Sequence, residues 1–345
     1  MKVLYGVQAT GNGHITRARV MAPALKQAGV DVDYLFSGRP ADELFDMELF
    51  GDYQTRRGLT FYMGEGAKVK SWDTLTRNSL ITLIRDIKSL DVQSYDLILS
   101  DFEPVTAWAA KLRGKKSIGI AHQYAFMHKL PDGWRSLMLR LGVQIFAPVT
   151  IPVGVHWDHF NRTIVPPLIS PPQYSRTVDE GLVLVYLPFE TDETLIDWFA
   201  SFTDYRFHVY SKRSFAHSIN NVHFKPLSRA GFEQDLAACS GVFSNCGFGL
   251  ASETMQYGKK FLTKPMQGQS EQRSNAILLD RLQLATVMDD FQSRDFQHWL
   301  EQPQPEPQLF QDVAGGLAKW IAGDCSEPAS DVVRSIWGLS TGVPA

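Results

Sequence analysis

Cysteine is scarce in this chain, and its few cysteines have no spacing that chemistry uses. Of 345 residues only three are cysteine, Cys239, Cys246 and Cys325, an odd number without a C-x-x-C pair. That excludes a disulfide framework and a cysteine zinc site, and it predicts a reducing, cytoplasmic setting. Long apolar runs are missing as well: no stretch of about 18 residues is apolar enough to span a bilayer. Met1-Lys2-Val3-Leu4-Tyr5-Gly6-Val7 is too short for a signal-peptide core and reads as a first strand. The expected location is cytoplasmic, at most peripheral to the inner face of the membrane. An excess of one charge is also absent. The formal net charge of −3 gives no overall reason to expect nucleic acid as a partner.

What is present is an ordinary globular balance, 44% apolar and 21% charged, over a length that one core rarely organises. Two domains follow. Val3–Val7 and Val30–Phe36 read as strands around a helix from Ile15 to Ala28, closed by Gly29 and disturbed at Pro23. Leu97–Ser100 and Ser117–Ala121 flank a helix from Val105 to Leu112. Strands separated by helices imply βαβ units and a parallel sheet. Residues 147 to 175 hold six prolines and read as a connection with few regular elements. The alternation then restarts with strands at Gly181–Leu187, Tyr205–Tyr210, Gly241–Ser244 and Lys260–Thr263. The fold class is α/β: two Rossmann-like doubly wound domains facing across a cleft. The first domain is expected over 1–155 and a hinge over 156–175. The second domain spans 176–325, and a tail over 326–345 packs back on domain one.

Two glycine-rich turns carry the chemistry. Thr10-Gly11-Asn12-Gly13-His14 fails the P-loop pattern, because Asn12 and Gly13 stand where Lys and Ser/Thr are needed. It fails the dinucleotide fingerprint, because Thr16 replaces the third glycine. What remains is a tight strand-to-helix turn where Gly11, Asn12 and Gly13 suit an acceptor or phosphate, beside His14. A histidine there suits a general base, and Asp101, after a buried strand, is its natural carboxylate partner. The plainer alternative is a capping histidine and a helix-capping Asp101.

The second turn, Asn245-Cys246-Gly247-Phe248-Gly249, leads into a helix from Leu250 to about Tyr257, stopped by Gly258. Backbone N–H groups at such a helix start suit a diphosphate. Glu253 is expected in the first helical turn, facing a ribose diol. The loop Gln267-Gly268-Gln269-Ser270-Glu271-Gln272 and Asn275 supply amides and carboxylates suited to sugar hydroxyls. An ordinary pair of βα turns is the alternative.

Ser244-Asn245-Cys246-Gly247-Phe248-Gly249-x-x-x-Glu253, then Gly258-Lys259-Lys260, Pro265, Glu271-Gln272 and Asn275-Ala276, resembles the donor-site signature of GT-B glycosyltransferases. It is most similar to the group containing the bacterial peptidoglycan N-acetylglucosaminyltransferase. Gly11-Asn12-Gly13-His14 resembles that group's N-terminal loop, and Ile120-Ala121-His122-Gln123 its third-strand segment. The resemblance implies Gly247 and Gly249 against the donor diphosphate and Glu253 on the ribose. It implies Gln269, Glu271 and Gln272 at the donor, the latter two on the sugar. His14 and Asp101 would be catalytic. It implies a nucleotide-sugar donor of UDP type, an inverting transfer, and no metal or other cofactor. The acceptor is unspecified and suits a lipid-linked molecule. Two departures weaken the diphosphate part: Cys246 stands where a glycine is usual, and Tyr186-Leu187-Pro188-Phe189-Glu190 lacks the glycine-serine loop of many relatives. A nucleotide-sugar 2-epimerase of the same fold, drawing on Asp101 and Glu103, is the competing enzyme; a non-catalytic nucleotide-sugar binder is the competing non-enzyme.

Other signals carry less. Asp31-x-Asp33 matches a metal-binding pair but opens a strand. His156-Trp157-Asp158-His159 lacks a third ligand and reads as a hinge loop. Trp134 to Phe146 reads as an amphipathic helix, packed on the core rather than on lipid.

Overall fold

The computed structural model describes residues 1–59, 79–132, 135–212 and 215–339. Trp134 lies outside them, as do the side chains of residues 133–138. The described residues fall into two units: one holds those up to Ser170 and those from Phe310 onward, the other Pro171–Leu309.

In the first unit the elements are β1 (Lys2–Gln8), α1 (Asn12–Gln27), β2 (Asp31–Ser37), β3 (Tyr53–Arg56), α2 (Leu80–Ser89), β4 (Leu97–Asp101), α3 (Pro104–Leu112), β5 (Ser117–Ala121), α4 (His122–Ala125), α5 (Arg135–Phe146), β6 (Ile151–Val155) and β7 (Ile164–Val165). The strands form one parallel sheet in the order β3-β2-β1-β4-β5-β6-β7. Val3, Leu4, Tyr5 and Val7 are fully buried, as a central strand covered on both faces requires. The helix α1 runs through Pro23, which is exposed, and ends where Gly29 takes φ +76°. The proline-rich stretch over 147–175, read as having few regular elements, contains two strands. Residues 151–155 and 164–165 are strands of this sheet, whose short apolar runs are broken up in sequence by Pro152, Gly154 and Pro166.

The second unit contains β8 (Asp179–Tyr186), α6 (Asp192–Phe199), β9 (Arg206–Ser211), β10 (His217–Ile219), β11 (Val222–Pro226), α7 (Arg229–Ala238), β12 (Cys239–Ser244), α8 (Phe248–Gln256), β13 (Lys260–Thr263), α9 (Ser270–Arg281), β14 (Thr286–Val287) and α10 (Ser293–Leu300). Its sheet runs β10-β11-β9-β8-β12-β13-β14, parallel except for the β10–β11 pair. An aromatic core fills one face: Phe199 stacks on Phe207 with ring centres 3.9 Å apart, and Phe296 and Trp299 are fully buried beside them. Each such ring contributes roughly 1.5–3 kcal/mol by burial.

The chain then returns to the first unit with α11 (Val313–Ala322) and α12 (Ala329–Ile336). The helix α11 buries Leu317, Ala318 and Ile321 and packs against α1. Trp337 Nε1 donates to Ile164 O at 2.7 Å. The return begins at Phe310, earlier than the 326 expected from the proline-rich loop, because α11 carries its own apolar face to α1.

Both sheets reverse their strand order at a defined place, between β1 and β4 in the first and between β8 and β12 in the second. Ligands of open α/β sheets bind outside the carboxyl ends of strands at such switch points. Each glycine-rich turn follows one of these strands.

Candidate active site

In the first unit, β1 ends at Gln8 and α1 begins at Asn12, with Gly11 as N-cap. Gly11 and Gly13 face open space: a Cβ added to either meets nothing within 4 Å. Neither therefore serves internal packing. Asn12 Oδ1 accepts from Arg39 Nη2 at 3.0 Å.

His14 stands in the first turn of α1, its side chain 14% exposed, and meets the fully buried Asp101 at the end of β4. Its Nδ1 lies 2.7 Å from Asp101 Oδ1. Arg17, one turn further along α1, grips the same carboxylate, with Nε donating to Oδ2 at 2.9 Å and Nη2 to Oδ1 at 2.6 Å. Burial alone raises the Asp101 pKa, but the Arg17 guanidinium and His14 outweigh it and hold the group below its ordinary value. The same Nδ1 lies 2.7 Å from Arg17 Nη2, which can only donate, so it sits between a carboxylate oxygen and a guanidinium; when it pairs with the carboxylate, Nδ1 carries the proton. The other ring nitrogen, Nε2, is then an acceptor. Asp101 is enclosed and acts only through His14; it positions the ring and does not cap a helix.

The cap belongs to Glu103. Its carboxylate accepts from Val105 N, Thr106 N, Thr106 Oγ1 and Ser37 Oγ at 2.6–2.8 Å. Burial pushes its pKa up against these bonds. Between Asp101 and Glu103, Phe102 takes φ +54°, a conformation costly for a bulky side chain, and its ring stacks on His14 with centres 6.3 Å apart.

In the second unit, Gly247 is the N-cap of α8, and no side chain caps that helix. As in the first turn, a Cβ on Gly247 or Gly249 would enter open space. Glu253 lies in the second turn of α8, not the first, because the helix starts at Phe248. Burial, then the Glu233 carboxylate, push its pKa up to about 7 against Arg229. Its carboxylate makes no hydrogen bond among the described residues.

Gln269 is the N-cap of α9, and Glu271 lies in that helix's first turn. The expectation for Gln272 changes. Its carboxamide oxygen accepts from Met266 N at 2.9 Å and Cys246 N at 3.3 Å, inside the protein. Asn275, fully buried, donates to Cys246 O at 3.2 Å. These two residues brace the loops after β12 and β13 against each other. Cys246 is likewise buried, its thiol pushed up to about 12 by burial, so it is no nucleophile.

Three participants were invisible to sequence reasoning. Arg17 sits at i+3 from His14, a same-face helical spacing that could have revealed it. Lys264 and Glu190 form an ion pair at 2.8 Å that joins the loops after β13 and β8. No local signal announces that pairing. Elsewhere, Asp33 accepts from Tyr95 Oη at 2.8 Å and pairs with Lys2, which disposes of a metal role for Asp31-x-Asp33. His156 is buried among His122, Trp157 and Phe160. Among the described residues no group of three His, Cys, Asp or Glu side chains is arranged to hold a metal ion. No helix among them is long and apolar enough to cross a membrane.

The chain matches the model of a family described as glycosyl transferase family 1 over residues 1–132 and 153–303. No curated protein matches it. Solved structures similar to it include the glycosyltransferase SnogD from Streptomyces nogalater, at 14% identity and TM-score 0.56 over 98% of this chain and 99% of that one. The spinosyn rhamnosyltransferase SpnG complexed with thymidine diphosphate is 12% identical, with TM-score 0.57 over 98% of this chain and 100% of that one. UGT89C1 of Arabidopsis thaliana complexed with UDP is 14% identical, with TM-score 0.55 over 97% and 99%. At these identities the likeness is one of fold, the two-domain α/β fold of GT-B enzymes. Together with a family match over most of its length, it makes this chain a member of glycosyl transferase family 1 and a glycosyltransferase of the GT-B fold.

Proposed function

We propose that the protein transfers a sugar from a UDP-sugar to a hydroxyl acceptor with inversion, without a metal, using His14 as general base. The observation that carries this reading is the His14–Asp101–Arg17 arrangement. A carboxylate kept ionised by a buried arginine supports a proton on Nδ1, which leaves Nε2 to take the acceptor's proton. In-line attack of the deprotonated oxygen on the anomeric carbon breaks the bond to the diphosphate, which leaves with its electron pair.

The donor is assigned to the second unit. Its diphosphate would meet the uncapped start of α8 at Gly247 and Gly249, where the helix dipole stabilises the departing charge. Glu253 suits a ribose diol, because its carboxylate has no competing hydrogen bond among the described residues. Gln269 and Glu271 remain suited to the sugar; Gln272 supports them from beneath. The buried Oε1 of Gln269 has no partner among the described residues, which favours a hydroxyl donor there.

The residues from Ser244 to Asn275 support the likeness to the peptidoglycan N-acetylglucosaminyltransferase group and, with it, a lipid-linked acceptor. Exposed Leu80, Ile81 and Ile84 on α2, and Leu141 and Ile145 on α5, near Arg85, Lys88 and Arg140, fit contact with a membrane surface. The epimerase reading finds less support, since Glu103 is consumed as a helix cap and Asp101 is fully enclosed.

Thermal-shift screening of nucleotides tests the donor assignment. UDP at about 100 times its Kd should add about 2.7 kcal/mol. No stabilisation by any nucleotide or nucleotide sugar would remove the reading. Deuterium exchange at the sugar C2 with donor alone would favour the epimerase instead.

A further inference from the structure

Beside the first glycine-rich turn, the ends of β2 and β3 enclose a cavity of about 410 Å³ lined by Arg39, Arg56 and Arg57 with Gly38, Pro40 and Thr55. We propose that this cavity holds a phosphate or diphosphate group of the acceptor, so that the enzyme's acceptor class is anionic. The proposal rests on the reading of the first unit as the acceptor-binding half.

Arg39 and Arg56 bond only to neutral groups among the described residues. Arg39 Nη2 donates to Asn12 Oδ1 at 3.0 Å and to Thr10 O at 3.3 Å. Arg56 donates to Thr55 O at 2.8 Å and to Gln54 Oε1 at 3.1 Å. All these acceptors are neutral, and neither guanidinium has a carboxylate partner among the described residues. A guanidinium carries five N–H donors in a planar fork, so each keeps donors for a further ligand. Asp42 and Glu43 follow in the exposed turn Ala41–Glu43 and are not part of the lining.

The cavity floor is built rather than accidental. Gly38 has φ +91°, and a Cβ there would come within 2.6 Å of Thr10 Oγ1 and 2.9 Å of Leu59 O. Gln8 Nε2 donates to both of those oxygens, at 2.6 and 2.9 Å, which ties the end of β1 to the segment after β3. Through Asn12, Arg39 is also fixed to the turn that presents His14 two residues later. A bound anion is thereby placed beside the catalytic base. The two positive charges of Arg39 and Arg56 in one wall exceed what a single carboxylate would neutralise and match a phosphate or diphosphate, whose oxygens the guanidinium fork fits in pairs.

Inorganic pyrophosphate is the probe, measured by calorimetry on the full chain with UDP at saturation, so that the site assigned to the second unit is filled. The variant is Arg39→Gln with Arg56→Gln, checked for an unchanged circular dichroism spectrum and melting temperature. Two lost charge-assisted contacts should weaken pyrophosphate roughly tenfold or more and leave UDP affinity within about twofold. Vesicles of phosphatidylcholine with phosphatidic acid provide the second arm. Arginine-dependent binding of free pyrophosphate alone marks a soluble phosphorylated acceptor, and arginine-dependent binding of the vesicles marks a lipid-borne one; either supports the site. Equal binding by wild type and variant in both arms overturns it. Failure of UDP to bind would instead strike the donor reading, while the arginine dependence stays measurable without it.

Discussion

Arg17 and Asp101 meet in a two-pronged buried ion pair, Nε to Oδ2 at 2.9 Å and Nη2 to Oδ1 at 2.6 Å, with His14 drawing on the same carboxylate. Removing one partner of such a pair leaves an uncompensated charge. Arg17→Met should cost about 3–5 kcal/mol in chemical denaturation. It should also move the acidic limb of the kcat/KM profile to higher pH, because His14 alone then opposes the rise that burial gives the Asp101 pKa. An unchanged profile would mean that Arg17 has no part in preparing His14.

The same pair makes a pH prediction for the wild type. The depressed Asp101 pKa contributes stability that is present above the unfolded-state value near 3.9 and is lost as pH falls through the lower folded value. Asp101→Asn lacks that acid-sensitive component. Its turnover should fall roughly 100-fold or more while donor affinity is kept. His14→Ala should behave alike in turnover, and wild-type rates in either variant would refute the proposed base.

Gly11 and Gly247 make a cleaner test of ligand contact than charged residues do. A methyl group at either meets nothing within 4 Å and requires no unusual backbone angle, φ being −117° and −79°. Gly247→Ala should leave the melting temperature unchanged or slightly raised and weaken UDP at least about tenfold, through crowding of the diphosphate. Undiminished UDP affinity would exclude the α8 start as the diphosphate cradle.

Glu253 has the opposite sign from Asp101. With a folded pKa raised to about 7, it gives up a proton more readily in the unfolded chain, so its ionisation disfavours the fold as pH rises from about 4.5 through 7. Glu253→Gln should therefore be more stable than wild type by roughly 1–3 kcal/mol near pH 8, with the gap closing near pH 4. UDP should bind the variant more weakly. A stability gain without an affinity loss would leave Glu253 a strained residue with no ligand.

Gln272→Ala separates support from contact. It strips the acceptor from two buried N–H groups, those of Met266 and Cys246, and should cost about 1–3 kcal/mol in denaturation. A variant with full stability but a raised KM would return Gln272 to the sugar.

The alternation of apolar runs and glycine turns made both sheets and both turns legible, since buried parallel strands need continuous apolar residues and tight βα turns need small ones. His14 and Asp101 could be paired from their positions at the ends of two neighbouring strands. What escaped has a physical reason. The strands β7 and β14 have two residues each, too short for any periodicity to register. Proline obscured β6. The bracing bonds of Gln272 were hidden because a carboxamide that braces two loops has the same letter as one that greets a sugar. Glu190 and Lys264 are 74 positions apart, and only the fold brings them together.

The return of the chain to the first unit at Phe310 also governs how the molecule is made. Among the described residues the second unit is one continuous segment, Pro171–Leu309, whereas the first is discontinuous. During synthesis the part of α1 that packs on α11 waits until α11 has left the ribosome, and a chain stopped short of Val313 would leave that contact unmade.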